Sequence, residues 1–199
     1  LPLAHEFKEK VREAGYELSA ANSVNFGRII FQIVYHFWSY FELIRQGKIK
    51  FGDNIKLIIP SGNFGNGLAA FYAKELGLPI DQIVLASNKN NILTDFIQSG
   101  IYNLNGRKVI NTNSPAMDIL ISSNIERLLF HLFGDKRTKE LMNDLEDQKC
   151  FKLTAEEHFI IPGIFDSEFA TSEEVVNVIR EVFDEYGYVI DPHTATAFF

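Results

Sequence analysis

Apolar and polar positions recur along this chain at two periods, and the changes of period mark its elements. Leu3 to Ala14 carries charges at helical spacing and stops at Gly15. A stretch of small and polar residues, 19–28, leads into a long apolar helix running to about Gln46, and Gly47 with Gly52-Asp53-Asn54 marks the turn beyond it. Ile55-Lys-Leu-Ile-Ile59 is short and rich in β-branched residues, so it predicts a buried strand closed by Pro60. Leu68 to Leu76 returns to helical spacing and ends at Gly77-Leu-Pro79, and Ile83-Val-Leu-Ala86 is a second buried strand. Strand, helix and strand in that order predict a parallel βαβ unit.

The alternation continues. Asn91 to Gly100 predicts a short helix, and Lys108-Val-Ile110 a small strand. Asn124 to Phe133 puts Ile125, Leu128, Leu129 and Leu132 on one helical face, and a charged helix follows from Arg137 to Asp147. Phe159-Ile-Ile161 predicts a further strand. A helix begins at Thr171 or Ser172 and ends at Gly187, and Asp191 caps another that has Pro192 at its first position. Helices and strands alternating throughout predict an α/β fold in one region spanning residues 1–199, with no internal repeat.

The first strand and helix are joined by Ser61-Gly-Asn-Phe-Gly-Asn-Gly67. Small residues let a ligand approach the backbone, and the amides of a first helical turn favour an anion. Gly67 is followed by Leu68, so the lysine of a Walker A loop is absent. Glycines at 62, 65 and 67 reverse the spacing of the dinucleotide fingerprint. The stretch suits a cofactor with a single phosphate, such as pyridoxal phosphate, held by backbone amides with Ser61, Asn63 and Asn66. An ordinary turn in which Gly and Asn supply positive φ is the competing reading.

Composition narrows the partners. The net charge of −7 argues against a basic nucleic-acid surface. A hydrophobic content of 46% calls for a packed core. Cys150 is the one cysteine, which rules out a disulfide framework and suits a reducing cytoplasm. No apolar run reaches the ~18 residues of a membrane span. His5, His36, His131, His158 and His193 lack metal-ligand spacing, so no metal site is expected. The chain opens without methionine and closes inside an apolar pattern, which suggests a fragment of a longer protein.

Other polar clusters carry two readings each. Asn22 or Ser23 could cap the long helix, leaving later amides and Arg28 to face an anion; simple capping, with Arg28 solvated or paired, is the alternative. Ser122 to Asn124 are good caps for the helix after them, and Asp118 could orient a base or close a turn. His193 at a helix start could titrate near neutrality, although a surface or supporting role is the commoner use. Ser61 lacks the G-x-S-x-G surroundings of a hydrolase nucleophile.

Six stretches in this order resemble the threonine synthase family: Asn22-Ser-Val-Asn25 with Arg28, Pro60-Ser-Gly-Asn-Phe-Gly-Asn66, Asn88-Lys-Asn90, Ser114-Pro-Ala-Met-Asp118, Ser123-Asn-Ile-Glu-Arg127 and Asp191-Pro-His-Thr-Ala195. The resemblance runs from about Leu18 to Phe199. It implies the parallel-sheet, three-layer domain of a fold-type-II pyridoxal-phosphate enzyme, incomplete here and part of a larger two-domain protein. The implied reaction converts O-phospho-L-homoserine and water to L-threonine and phosphate. Gly62, Asn63, Phe64, Gly65 and Asn66, with Ser61, inherit the cofactor phosphate; Asn22, Ser23 and Arg28 inherit the substrate phosphate. The family's Schiff-base lysine lies in a Phe-Lys-Asp stretch that these residues do not contain, so no catalytic residue is assigned and the isolated chain is expected to be inactive. Another enzyme of the same cofactor class, a dehydratase or β-replacement synthase, is the nearest rival. A non-catalytic module binding a phosphorylated metabolite is the rival from another class.

Overall fold

The computed structural model describes residues 8–17 and 25–199. The candidate phosphate contacts Asn22 and Ser23 lie outside the described residues. Helix α1 is Lys8–Glu13 and the long helix α2 is Phe26–Arg45. Strand β1 (Ile55–Pro60), helix α3 (Gly65–Glu75) and strand β2 (Ile80–Ser87) follow. Then come α4 (Ile92–Ser99), β3 (Ile101–Asn103), α5 (Ile125–Gln148), β4 (Cys150–Lys152), α6 (Ala155–Ile160), β5 (Phe165–Phe169), α7 (Ser172–Tyr186) and α8 (Pro192–Ala195).

The expected βαβ unit is present. Strand β1 pairs parallel with β2, with Ile59 opposite Leu85 and Pro60 opposite Ala86. Strand β2 pairs parallel with β5, giving the order β1-β2-β5. All three strands therefore end on the same side, where Pro60, Ser87 and Phe169 hand the chain to loops. This carboxyl edge is where parallel sheets hold ligands. Leu68, Phe71, Ile83, Leu85 and Phe165 are buried in the main core. A smaller cluster of Ala170, Val175, Val178, Ile190 and Ala195 ties α7 to α8.

Two expected strands do not form. Residues 108–110 are not a strand because Asn90 takes the groups a ladder would use: its Oδ1 accepts the Ile110 amide at 2.8 Å and its Nδ2 donates to the Ile110 carbonyl at 2.9 Å. The small sheet is instead β3 against β4, antiparallel, with Tyr102 stacked on Phe151 at 5.2 Å. Phe159-Ile-Ile161 is helical rather than extended. Thr154 and Glu157 make a reciprocal capping box that starts α6, and a 3₁₀ turn over Ile161–Gly163 follows it. The two helices expected between Asn124 and Asp147 are both present within α5, separated at Gly134, whose φ of 76° and ψ of 179° are not helical. Among the described residues, no helix is long and apolar enough to cross a membrane.

Candidate functional site

A cavity of about 680 Å³ opens at the carboxyl edge of the sheet. Arg28, Phe31, Gln32 and Tyr35 of α2 line one side, and Pro60 to Asn66 line another. Ala116, Met117 and His193 complete it. The structure thus brings Arg28 together with the loop residues Ser61 to Asn66, which lie more than thirty positions later in the chain. Helix α2 is capped by Asn25, whose Oδ1 accepts the Gly27 amide at 2.9 Å, rather than by Asn22 or Ser23 as expected. Arg28 sits in the first turn beyond that cap.

The loop is held so that its amides face away from the protein. Ser122 Oγ donates to the Gly62 carbonyl at 2.5 Å. The Asn63 carbonyl accepts both the Asn124 amide at 3.3 Å and Asn124 Nδ2 at 3.1 Å. In a planar trans peptide the N–H points opposite to the carbonyl. Anchoring those two carbonyls on the start of α5 therefore turns the Asn63 and Phe64 amides the other way. Helix α3 begins at Gly65, three residues before the expected Leu68, and its first amide bonded back into the helix is Leu68 to Phe64. Among the described residues, the amides from Gly62 to Gly67 make no protein hydrogen bond. They are the unpaired donors of a helix N-terminus.

Two further features fit a phosphate. Ser61 Oγ is buried with no hydrogen-bond partner among the described residues. An orphaned hydroxyl of that kind calls for an acceptor. Gly62 has no room for a side chain, since a Cβ there would lie 3.0 Å from Met117 Cα and 3.3 Å from Ile119 Cδ1. The donors are uncharged amides and one hydroxyl, a set suited to an anion of low charge. Phe64 holds the turn: it adopts the left-handed conformation with φ 61°, and its buried ring packs edge-to-face on Phe165 at 5.5 Å.

The wall packed against Gly62 of the loop is the 3₁₀ turn Pro115–Met117. Asp118 fixes it by accepting Asn88 Nδ2, Asn90 Nδ2, the Thr112 amide and Thr112 Oγ1 at 2.7–3.0 Å. Asp118 closes a turn; it does not line the cavity. His193 does line it, with Nδ1 3.0 Å from Asp191 Oδ1 and Nε2 accepting the Ala116 amide at 3.2 Å. Tyr102 supports the arrangement from behind: its hydroxyl donates to the Leu120 carbonyl and accepts the Ser122 amide, both at 2.9 Å. Burial raises that phenol's pKa. His36 of α2 contacts the Asn66 carbonyl at 3.4 Å, and desolvation lowers its pKa.

Sequence reasoning assigned no role at this site to Phe31, Gln32, Tyr35, Ala116 or Met117, and read Ser122 to Asn124 as helix caps. Asn124 does occupy the capping position of α5 but makes no side-chain cap: its Nδ2 donates to the loop, and its Oδ1 is buried without a hydrogen-bond partner among the described residues. The signal for this exchange was faint: a Ser-Ser-Asn run longer than one cap requires.

Asp191 caps α8, and hydrogen bonds from the Thr194 hydroxyl, the His193 and Thr194 amides and the His193 ring hold its pKa down from 3.8 to about 2. A carboxyl depressed in the folded state stabilises above its unfolded pKa, and that contribution disappears as pH falls through the folded value. The α8 cap is therefore expected to be intact above 3.8 and lost toward 2. NMR shifts of the His193 and Thr194 amides should titrate with a midpoint near 2; a midpoint near 3.8 would remove the cap's preference for the charged form.

No family model matches the chain. It is 45% identical over 188 residues to human threonine synthase-like 1, covering 93% of this chain and 25% of that relative. It is 37% identical over 204 residues to the threonine synthase of Saccharomyces cerevisiae, covering 95% of this chain and 39% of the relative. Its fold matches the crystal structure of pyridoxal-phosphate-bound threonine synthase from Brucella melitensis with a TM-score of 0.89 and 34% identity, over 99% of this chain and 41% of that one. The yeast threonine synthase structure matches with a TM-score of 0.85 at 36% identity, over 94% of this chain and 39% of that one. The chain thus spans well under half the length of each of these relatives. Resemblance and fold agree with the sequence reading: the chain matches part of the α/β, parallel-sheet fold of these threonine synthase structures.

Proposed function

We propose that this chain, which matches threonine synthases along nearly its whole length, forms the phosphate-holding part of a pyridoxal-phosphate-dependent lyase acting on O-phospho-L-homoserine. The observation that carries the reading is the placement of Arg28 and the amide-rich loop in one cavity. A reaction with a phosphorylated cofactor and a phosphorylated substrate needs two anion sites of different strength. The loop supplies neutral donors for the cofactor's phosphate monoester: the amides of Gly62 to Asn66 and the buried hydroxyl of Ser61. Arg28 supplies a planar cationic fork for the substrate's phosphate, which must be gripped and then released as product. When bound, pyridoxal phosphate supplies an electron sink for carbanion chemistry next to its attachment point. The walls from α2 and the Pro115–Met117 turn confine the substrate between the two anion sites. The single thiol, Cys150, fits a reducing compartment such as the cytoplasm.

A second reading has its own support. The relatives at 45% identity are named threonine synthase-like, so a cofactor-dependent reaction on a related substrate is the alternative. Phosphate dependence separates the two. The full-length protein, supplied with pyridoxal phosphate and O-phospho-L-homoserine, is expected to release phosphate and form threonine in equal amounts. The isolated residues 1–199, which hold no Phe-Lys-Asp stretch, serve as the inactive control. Arg28→Ala should lower kcat/KM for this substrate by about 100-fold, the loss expected for one charge-assisted bidentate contact. Full activity in Arg28→Ala, or turnover of unphosphorylated homoserine at the same rate, would favour the alternative.

A further inference from the structure

The turn that forms the cavity wall has one backbone donor that the turn itself does not use. Within Pro115–Met117 the Met117 and Asp118 amides bond back to the Ser114 and Pro115 carbonyls. The Ala116 amide instead donates to His193 Nε2, from a helix seventy-seven positions away in sequence. An amide can only donate, so Nε2 carries no proton in this arrangement. The ring proton then lies on Nδ1, where Asp191 Oδ1 accepts it at 3.0 Å. The same turn sets the space beside the phosphate loop, because Met117 Cα and the Ala116 carbonyl would stand 3.0 and 3.5 Å from a Cβ on Gly62. A second tie runs in parallel: Thr196 Oγ1 lies 3.8 Å from Met117 Sδ. Helix α8 is itself anchored through buried Ala195 in the cluster it shares with α7.

We propose that His193 is a positioning residue: as the neutral Nδ1–H tautomer it latches the Pro115–Met117 turn against Gly62 and so sets how tightly the loop grips a phosphate. The inference rests on the reading of the loop given above. Aspartate fixes the tautomer, the tautomer leaves Nε2 free to accept, and the accepted amide holds the wall. No proton transfer to substrate is required of the ring. A merely structural histidine would serve by its bulk, whereas this one serves by the acceptor at Nε2.

The test uses the full-length protein and two readouts. Nitrogen-15 NMR of the histidine rings should show His193 protonated at Nδ1 and bare at Nε2. Calorimetric titration with pyridoxal 5′-phosphate should find His193→Ala about five- to tenfold weaker than wild type, the loss of roughly one hydrogen bond's positioning. His193→Gln, whose amide oxygen can accept the Ala116 N–H, should recover binding to within about twofold. Circular dichroism confirms that both variants fold, and His193→Gln together with the tautomer carries the test should His193→Ala not. A proton on Nε2, or a glutamine variant no better than alanine, would overturn the latch. If wild type binds no pyridoxal phosphate, the reading of the loop fails and the latch falls with it. If wild type binds and His193→Ala binds equally well, the loop reading stands and the latch alone is lost.

Discussion

Phe64→Ala is expected to cost about 3–5 kcal/mol of unfolding free energy, the range for truncating a buried aromatic. The ring is 1% exposed and packs edge-to-face on Phe165. It also lies under the first turn of α3, where a Cβ on Gly67 would meet its Cε2 at 2.9 Å. Removing it opens a void beneath the turn whose amides face the cavity. Relief of backbone strain does not offset this. Alanine has a Cβ, so the left-handed φ of 61° remains as unfavourable as before. Phe64→Gly would recover about 1–2 kcal/mol of that strain. It would also add about 0.5–1 kcal/mol of unfolded-chain entropy, so the void dominates in either variant. Urea denaturation measures the loss. Under about 1 kcal/mol would mean the ring is not a wedge and that the loop holds its shape through Ser122 and Asn124 alone.

The pattern that predicted the site and the pattern that misled about the fold have the same physical origin. Strand, loop and helix around residues 55–75 were legible because each element is local: β-branched run, glycines, then helical spacing. The caps at Thr171 and Asp191 were legible for the same reason, since a cap bonds to amides two or three residues away. What failed was of two kinds: segments whose backbone is claimed by a distant side chain, and a short apolar run that carries no period of its own. Residues 108–110 have strand composition, but Asn90 from twenty positions earlier occupies the Ile110 backbone. Phe159 to Ile161 looked like a strand because three apolar residues in a row carry no period, and the Thr154–Glu157 box upstream decided for helix. The role of Ser122 to Asn124 was hidden likewise, because their partners are the carbonyls of Gly62 and Asn63, sixty positions back. Arg28 and the loop were each visible alone, and their meeting in one cavity is a tertiary fact.

Asp118→Ala is expected to produce a loss of similar size to Phe64→Ala although Asp118 does not line the cavity. Its Oδ1 accepts Asn88 Nδ2 at 2.8 Å, Asn90 Nδ2 at 3.0 Å and Thr112 Oγ1 at 2.7 Å, and its Oδ2 accepts the Thr112 amide at 2.9 Å. Asn88 and Asn90 are 2% and 5% exposed, so water cannot easily replace the acceptor. Hydrogen bonds to a carboxylate contribute about 1.5–3 kcal/mol each, and shared partners make the total less than the sum. About 3–5 kcal/mol is therefore expected for alanine. Asparagine discriminates between charge and geometry. With its oxygen at the Oδ1 position it keeps three of these bonds, and its NH₂ then faces the Thr112 amide, donor against donor. Asp118→Asn should thus cost about 1–3 kcal/mol, one bond lost and two donors, the Thr112 amide and the new NH₂, left facing each other. The Thr112 amide should exchange faster with solvent in both variants. The wall at Met117 should loosen against Gly62, so pyridoxal phosphate affinity should fall alongside stability. Wild-type stability and exchange in Asp118→Asn, with less than about 1 kcal/mol lost in Asp118→Ala, would mean that the turn is held from the His193 side and that the asparagine network merely fills the space behind it.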